Sequence, residues 1–144
     1  MSKNPEFFWD EELGYAACSI WHGDKVFIGT ANCHPEDADM KSEKTGSEIA
    51  YHRAVIAAAR NQLQNVQIEL KGMKHLLATM EQSTRFNSKS YEAKRIYSHI
   101  NFLNENIDTL KEIITSEKEF VLNYISEKEK FYKRIRANRM DNAD

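Results

Sequence analysis

Ile56, Ala59, Leu63, Val66, Leu70, Met73, Leu77 and Met80 divide the stretch 56–80 into alternating three- and four-residue steps. Apolar groups at an average spacing of about 3.5 residues form one seam along an α-helix. A second seam follows at Ile96, Ile100, Leu103, Ile107, Leu110, Ile114, Val121, Tyr124, Phe131 and Ile135. The polar stretch 82–89 between them is too short for a crossover, so the spacing predicts an antiparallel helical hairpin. With the arms paired about 86–88, Ile49 lies level with Tyr124 at about 1.5 Å rise per residue. The second arm is the longer one. Its overshoot, Lys130-Phe-Tyr-Lys-Arg-Ile-Arg-Ala-Asn-Arg139, is basic and aromatic, and the hairpin returns it towards the N-terminal segment.

The one β region runs from Leu13 to Cys33. Two strand-like runs, 14–21 and 25–33, flank His22-Gly23-Asp24-Lys25, where Gly23 is free to take positive φ in a two-residue hairpin turn. That turn sets Trp21 opposite Val26, Ser19 opposite Ile28, Ala17 opposite Thr30 and Tyr15 opposite Asn32. The other face carries Ala16, Cys18, Ile20, Phe27, Gly29 and Ala31, small and apolar enough to pack closely on helices. Phe7-Phe8-Trp9 offers a third strand of unreadable register, since a lone hairpin is barely stable. Thr45-Gly-Ser-Glu48 fits a capping box and starts the first long helix; Ser88 or Ser90 caps the second.

The fold class is therefore α+β, a small N-terminal antiparallel sheet followed by a long antiparallel two-helix hairpin. The chain reads as one domain over 1–144. Its β-rich region and polar connector take 1–44, the first helix 45–85, the second 88–139, and a frayed tail 140–144. A two-helix hairpin covers each seam on one side only. A homodimer or higher homo-oligomer is expected to complete it, through the seams and the Trp21 face.

No apolar run approaches the roughly 18 residues of a membrane span, and the first residues lack the apolar core of a signal peptide. A cytoplasmic location and no membrane partner are expected, with Cys18 and Cys33 kept as thiols. Cys18, His22, Cys33 and His34 have metal-ligand chemistry, but the hairpin register separates them, so no metal is expected. The carboxylates Glu36, Asp37 and Asp39 lack the pattern of a calcium loop. No nucleophile-elbow, phosphate-loop or zinc-protease motif occurs, so no catalytic residue is assigned and the chain is not read as an enzyme.

Charge singles out the end of the second helix. Residues 1–48 carry ten acidic groups against Lys3, Lys25, Lys41 and Lys44, whereas from Lys130 onward the first acid is Asp141, after Lys130, Lys133, Arg134, Arg136 and Arg139. Lys130 and Arg134 stand four apart and share a face. Arginines hold phosphate oxygens bidentately, and Phe131 or Tyr132 offers a surface for a nucleobase. The bland alternative is pairing with the acidic half or simple solvation. The same residues fit nucleic acid, although a polyanion would be repelled by the acidic half, which disfavours polynucleotide binding. A second candidate is Arg85-Phe86-Asn87 at the bend, whose bland reading is a turn with a covering Phe. Trp21, Thr30 and Asn32 on the mixed sheet face suit either a ligand wall or a subunit contact.

Three runs carry a resemblance: Gly29-Thr-Ala-Asn-Cys-His-Pro-Glu-Asp37, Ser42-Glu-Lys-Thr-Gly-Ser-Glu-Ile-Ala50 and Phe86-Asn-Ser-Lys-Ser-Tyr-Glu92. They resemble phage Thoeris anti-defence sponge proteins of the first described type, and the likeness extends from Leu13 to Arg139. The resemblance implies a protein of the infected bacterial cytoplasm that sequesters cyclic ADP-ribose isomers (gcADPR) without cleaving them, so blocking Thoeris immunity. It implies oligomers built from dimers and no cofactor besides that ligand. At the pocket it implies an aromatic, an asparagine and late arginines, for which Phe86 or Phe131, Asn87, Arg134 and Arg136 are the matching positions. The alternative is a small nucleic-acid-binding or phage assembly module that uses the basic helix end.

Overall fold

In the computed structural model, residues 4–32 and 42–141 are described, with side chains through 138. Three strands, β1 (Glu6–Asp10), β2 (Tyr15–His22) and β3 (Lys25–Asn32), precede two helices, α1 (Glu43–Glu81) and α2 (Tyr91–Asp141). The sheet is antiparallel in the order β1-β2-β3. The β2–β3 register is the one the Gly23-Asp24 turn predicts, with Trp21 opposite Val26 and Ala17 opposite Thr30, and Gly23 takes φ 64°. Phe7-Phe8-Trp9 does form the third strand. Phe8 pairs with Ala17 and Trp9 with Ala16, and Asp10 closes the turn by accepting the Leu13 N–H on its side chain at 2.9 Å.

The chain divides into two compact units, 1–58 with 115–144, and 59–114. In the first, the inner face of the sheet packs on the start of α1. Its core is Ala16, Cys18, Ala31 and Ala50, flanked by Trp9, Ile20, Ile49 and Tyr51. Gly46, Ala50 and Ala54 recur every four residues on α1, so the helix presents one small-residue face to the strands. Burial pushes the Cys18 thiol above its ordinary pKa, because the thiolate would lose its hydration. Cys33, His34, Glu36, Asp37 and Asp39 lie outside the described residues.

The second unit contains the bend and the arms that flank it. Leu70, Leu103 and Ile107 are buried together, with Leu63, Val66, Met73 and Ile100 against them, and His99 Nε2 meets Glu69 Oε1 at 2.8 Å beside this seam. These are the predicted seam positions. No described helix is long and apolar enough to cross a membrane.

Three local expectations need correction. Helix α1 starts at Glu43, and its cap is Ser42 rather than Thr45. The Ser42 hydroxyl accepts the Thr45 N–H at 3.3 Å, and its carbonyl accepts the Gly46 N–H at 2.9 Å. Thr45 is buried instead, which leaves Glu48 free of the capping box. Between Ser90 and Ser88, Ser90 is the cap of α2, its hydroxyl accepting the Ala93 N–H at 3.2 Å, so α2 begins at Tyr91 rather than residue 88. Phe131 is not a seam residue, since 53 % of its surface is exposed. His52 meets Phe120, and Phe131 lies farther beyond Phe120 than the start of α1 lies before His52, so α1 has run out at its level.

Candidate functional site

The bend brings together the consecutive candidates. After α1, one-turn hydrogen bonds reverse the chain: Phe86 N–H to the Ser83 carbonyl at 3.1 Å, and Ser90 N–H to the Asn87 carbonyl at 3.0 Å. These turns hold a cleft of about 350 Å³ lined by Met80, Ser83, Arg85, Phe86, Asn87, Ser90 and Glu92. Phe86 is half-buried in it, while Arg85 and Asn87 are exposed. The Asn87 Oδ1 accepts the Lys89 N–H at 2.9 Å, so the side-chain amide is oriented by its own turn and offers its NH₂ outward. The cleft thus combines a cation, an aromatic face and an amide donor.

The basic end of α2 lies in the other unit. Lys130, Phe131, Lys133 and Arg134 are exposed, whereas Tyr132, Ile135 and Arg136 are half-buried along one stripe. The Phe131 and Tyr132 rings meet edge to face at 5.5 Å. Arg139 belongs to α2, but its side chain lies outside the described residues. On the outer face of the sheet, Trp21, Thr30 and Asn32 do not form one cluster. Trp21 sits beside the hairpin turn, and Asn32 is paired with Tyr15 at the opposite end of the ladder, roughly 20 Å away at ~3.4 Å per residue. The Thr30 carbonyl accepts a hydrogen bond from Arg53 Nη1 at 2.8 Å.

A further cluster surrounds His52 on α1. Where an apolar seam residue would stand on α2, Glu117 stands instead and binds His52 Nδ1. The imidazole ring lies against Phe120 at 4.1 Å and edge-on to Tyr51 at 5.3 Å, with Glu48 Oε2 3.7 Å from Nε2. The available signal was the polar pair itself: a histidine within one seam, and a glutamate filling the step from Ile114 to Val121 in the other. Among the described residues, no group of three or more His, Cys, Asp or Glu side chains is arranged to hold a metal ion.

No family model, no curated protein and no solved structure matches this chain.

Proposed function

We propose that this protein is a phage anti-defence sponge that binds cyclic ADP-ribose isomers at the bend and withholds them, uncleaved, from the Thoeris defence of the infected cell. The observation that carries this reading is the cleft formed by Arg85, Phe86 and Asn87, the last two of which open one of the runs on which the resemblance rests. Its chemistry suits the ligand. A guanidinium addresses pyrophosphate, an aromatic face addresses adenine, and amide and hydroxyl groups address ribose. Sequestration needs affinity and slow release, with no general base or activated nucleophile. At about 350 Å³ the cleft is at the small end of ligand pockets and its walls are exposed. A second copy of the chain is proposed to close it, which makes the working form a homodimer or larger assembly in the host cytoplasm.

One experiment tests ligand and assembly together. The protein is incubated with a cyclic ADP-ribose isomer, separated by gel filtration with light scattering, heat-denatured, and the released small molecules are analysed. Intact ligand recovered from a multiple of 16.8 kDa is the expected result. Recovery of linear ADP-ribose, or a ligand-free monomer, overturns the proposal.

Phe86→Ala and Asn87→Ala are each expected to weaken binding about tenfold or more, with the melting curve unchanged for the exposed Asn87 and only slightly lowered for the half-buried Phe86. Arg134→Ala tests the other candidate, the basic helix end, and is expected to weaken binding by a similar factor where that end holds the pyrophosphate by itself. Unchanged affinity in calorimetric titration confines the site to the bend. The exposed stripe of Lys130, Lys133 and Arg134 also favours a second reading, a nucleic-acid-binding or assembly module. That reading requires a mobility shift with DNA or RNA that fades steeply as salt rises, and no shift at low salt removes it.

A further inference from the structure

The cleft at the bend is lined by one acid as well as one cation. Glu92, in the first turn of α2, shares it with Arg85. Among the described residues the two side chains do not pair with each other, and the Glu92 carboxylate has no other partner. The remaining polar groups have protons to give. Ser83 Oγ accepts the Arg85 N–H at 3.2 Å and Ser90 Oγ accepts the Ala93 N–H at 3.2 Å, which leaves each hydroxyl its O–H to donate. Asn87 Oδ1 accepts the Lys89 N–H, which leaves its NH₂. Glu92 is therefore the lining side chain that can only accept.

A glutamate in the first turn of a helix is favoured by the helix dipole, and on a bare surface nothing more is needed to account for it. In a cleft that takes a pyrophosphate it repels the ligand, and it lowers affinity unless the ligand brings it a donor. Like charges keep the pyrophosphate on Arg85. The donor left for Glu92 is the exocyclic amine of the base, a group that carboxylates accept from in base recognition. Phe86, in the same cleft, offers the base a face while the carboxylate reads its edge. On the reading of the bend as the gcADPR site, on which this rests, we propose that Glu92 is its specificity-determining residue. The carboxylate accepts the adenine amine, so the protein takes cyclic nucleotides built on adenine and rejects those built on hypoxanthine. Hypoxanthine carries a carbonyl where adenine carries the amine, which sets acceptor against acceptor.

Calorimetric titration of the full chain with gcADPR and with its hypoxanthine counterpart, the same molecule deaminated at C6, tests this. The wild type is expected to bind gcADPR about tenfold or more tightly than the counterpart. Glu92→Gln is expected to bring the two within about threefold, because an amide can turn its NH₂ to a carbonyl or its oxygen to an amine. Its melting curve should barely move, since Glu92 is exposed. Phe86→Ala, by contrast, weakens both ligands and keeps their ratio, because a stacking face does not read the group at C6. Equal wild-type affinity for the two ligands overturns the proposal, as does a preference that survives Glu92→Gln. In both of those cases binding itself leaves the sponge reading standing. Binding of neither ligand overturns the sponge reading and this proposal with it.

Discussion

Gly29→Ala is expected to melt on the order of 10 °C below the wild-type chain. A Cβ at position 29 would lie 2.0 Å from the Ala50 carbonyl oxygen, 2.3 Å from the Ala54 nitrogen and 2.8 Å from the Arg53 carbonyl carbon. All three are backbone atoms inside a helix, so no side chain can swing aside. The strand has to lift off α1, and the small-residue core of Ala16, Cys18, Ala31 and Ala50 opens with it. Overpacking costs about 1–3 kcal/mol where flexible neighbours can yield, and against rigid backbone the upper figure is the starting point. Gly72→Ala is the matched control. A Cβ there meets nothing within 4 Å, and alanine in an exposed helix interior gains roughly 0.5–1 kcal/mol over glycine. Thermal melts followed by circular dichroism read both variants. Equal melting of Gly29→Ala and wild type would mean that β3 is not seated on the α1 backbone at this depth.

Leu103→Ala is expected to cost about 2–5 kcal/mol, with the loss felt first in the unit formed by 59–114. Leu103 is 2 % exposed and sits with Leu70 and Ile107, enclosed by Leu63, Val66, Met73 and Ile100. A hairpin of two helices has no second layer to collapse into the space, so most of the cavity persists. Hydrogen exchange gives the sharper reading. Amides of both arms in 59–114 should lose protection, while those of β2 and β3 keep theirs at low denaturant. Uniform loss across sheet and hairpin would show instead that the two units unfold as one.

The functional candidates differ in how far local sequence exposes them. Arg85, Phe86 and Asn87 are consecutive and lie between two strong helical patterns, so a turn that gathers them was readable before any coordinates. The orientation of the Asn87 amide was not, because it depends on the hydrogen bond from the Lys89 N–H. A cleft lined by Phe7, Lys44, Ser47, Glu48, Tyr51 and His52 lay beyond reach. It draws on Phe7 from a strand of unreadable register, on 44–52 from α1, and on Glu117, 65 residues from the histidine it orients.

Periodicity and turn chemistry were sufficient for the elements. Seams spaced by three and four residues dictate two helices, a short polar bend makes them antiparallel, and Gly23-Asp24 sets the β2–β3 register, because each follows from backbone geometry over a few residues. Tertiary structure alone decided the rest. Ser42 and Thr45 are both good caps, and the choice fell to Ser42, with Thr45 buried. The β1 register depends on where Trp9 packs beside Ala16 and Ala50, and the exposure of Phe131 depends on where α1 begins. His52 and Glu117 each stand at a seam position, but only the packing of α1 on α2 makes them partners. In each of these cases several local choices have nearly equal energy, and contacts between residues distant in the chain select one of them.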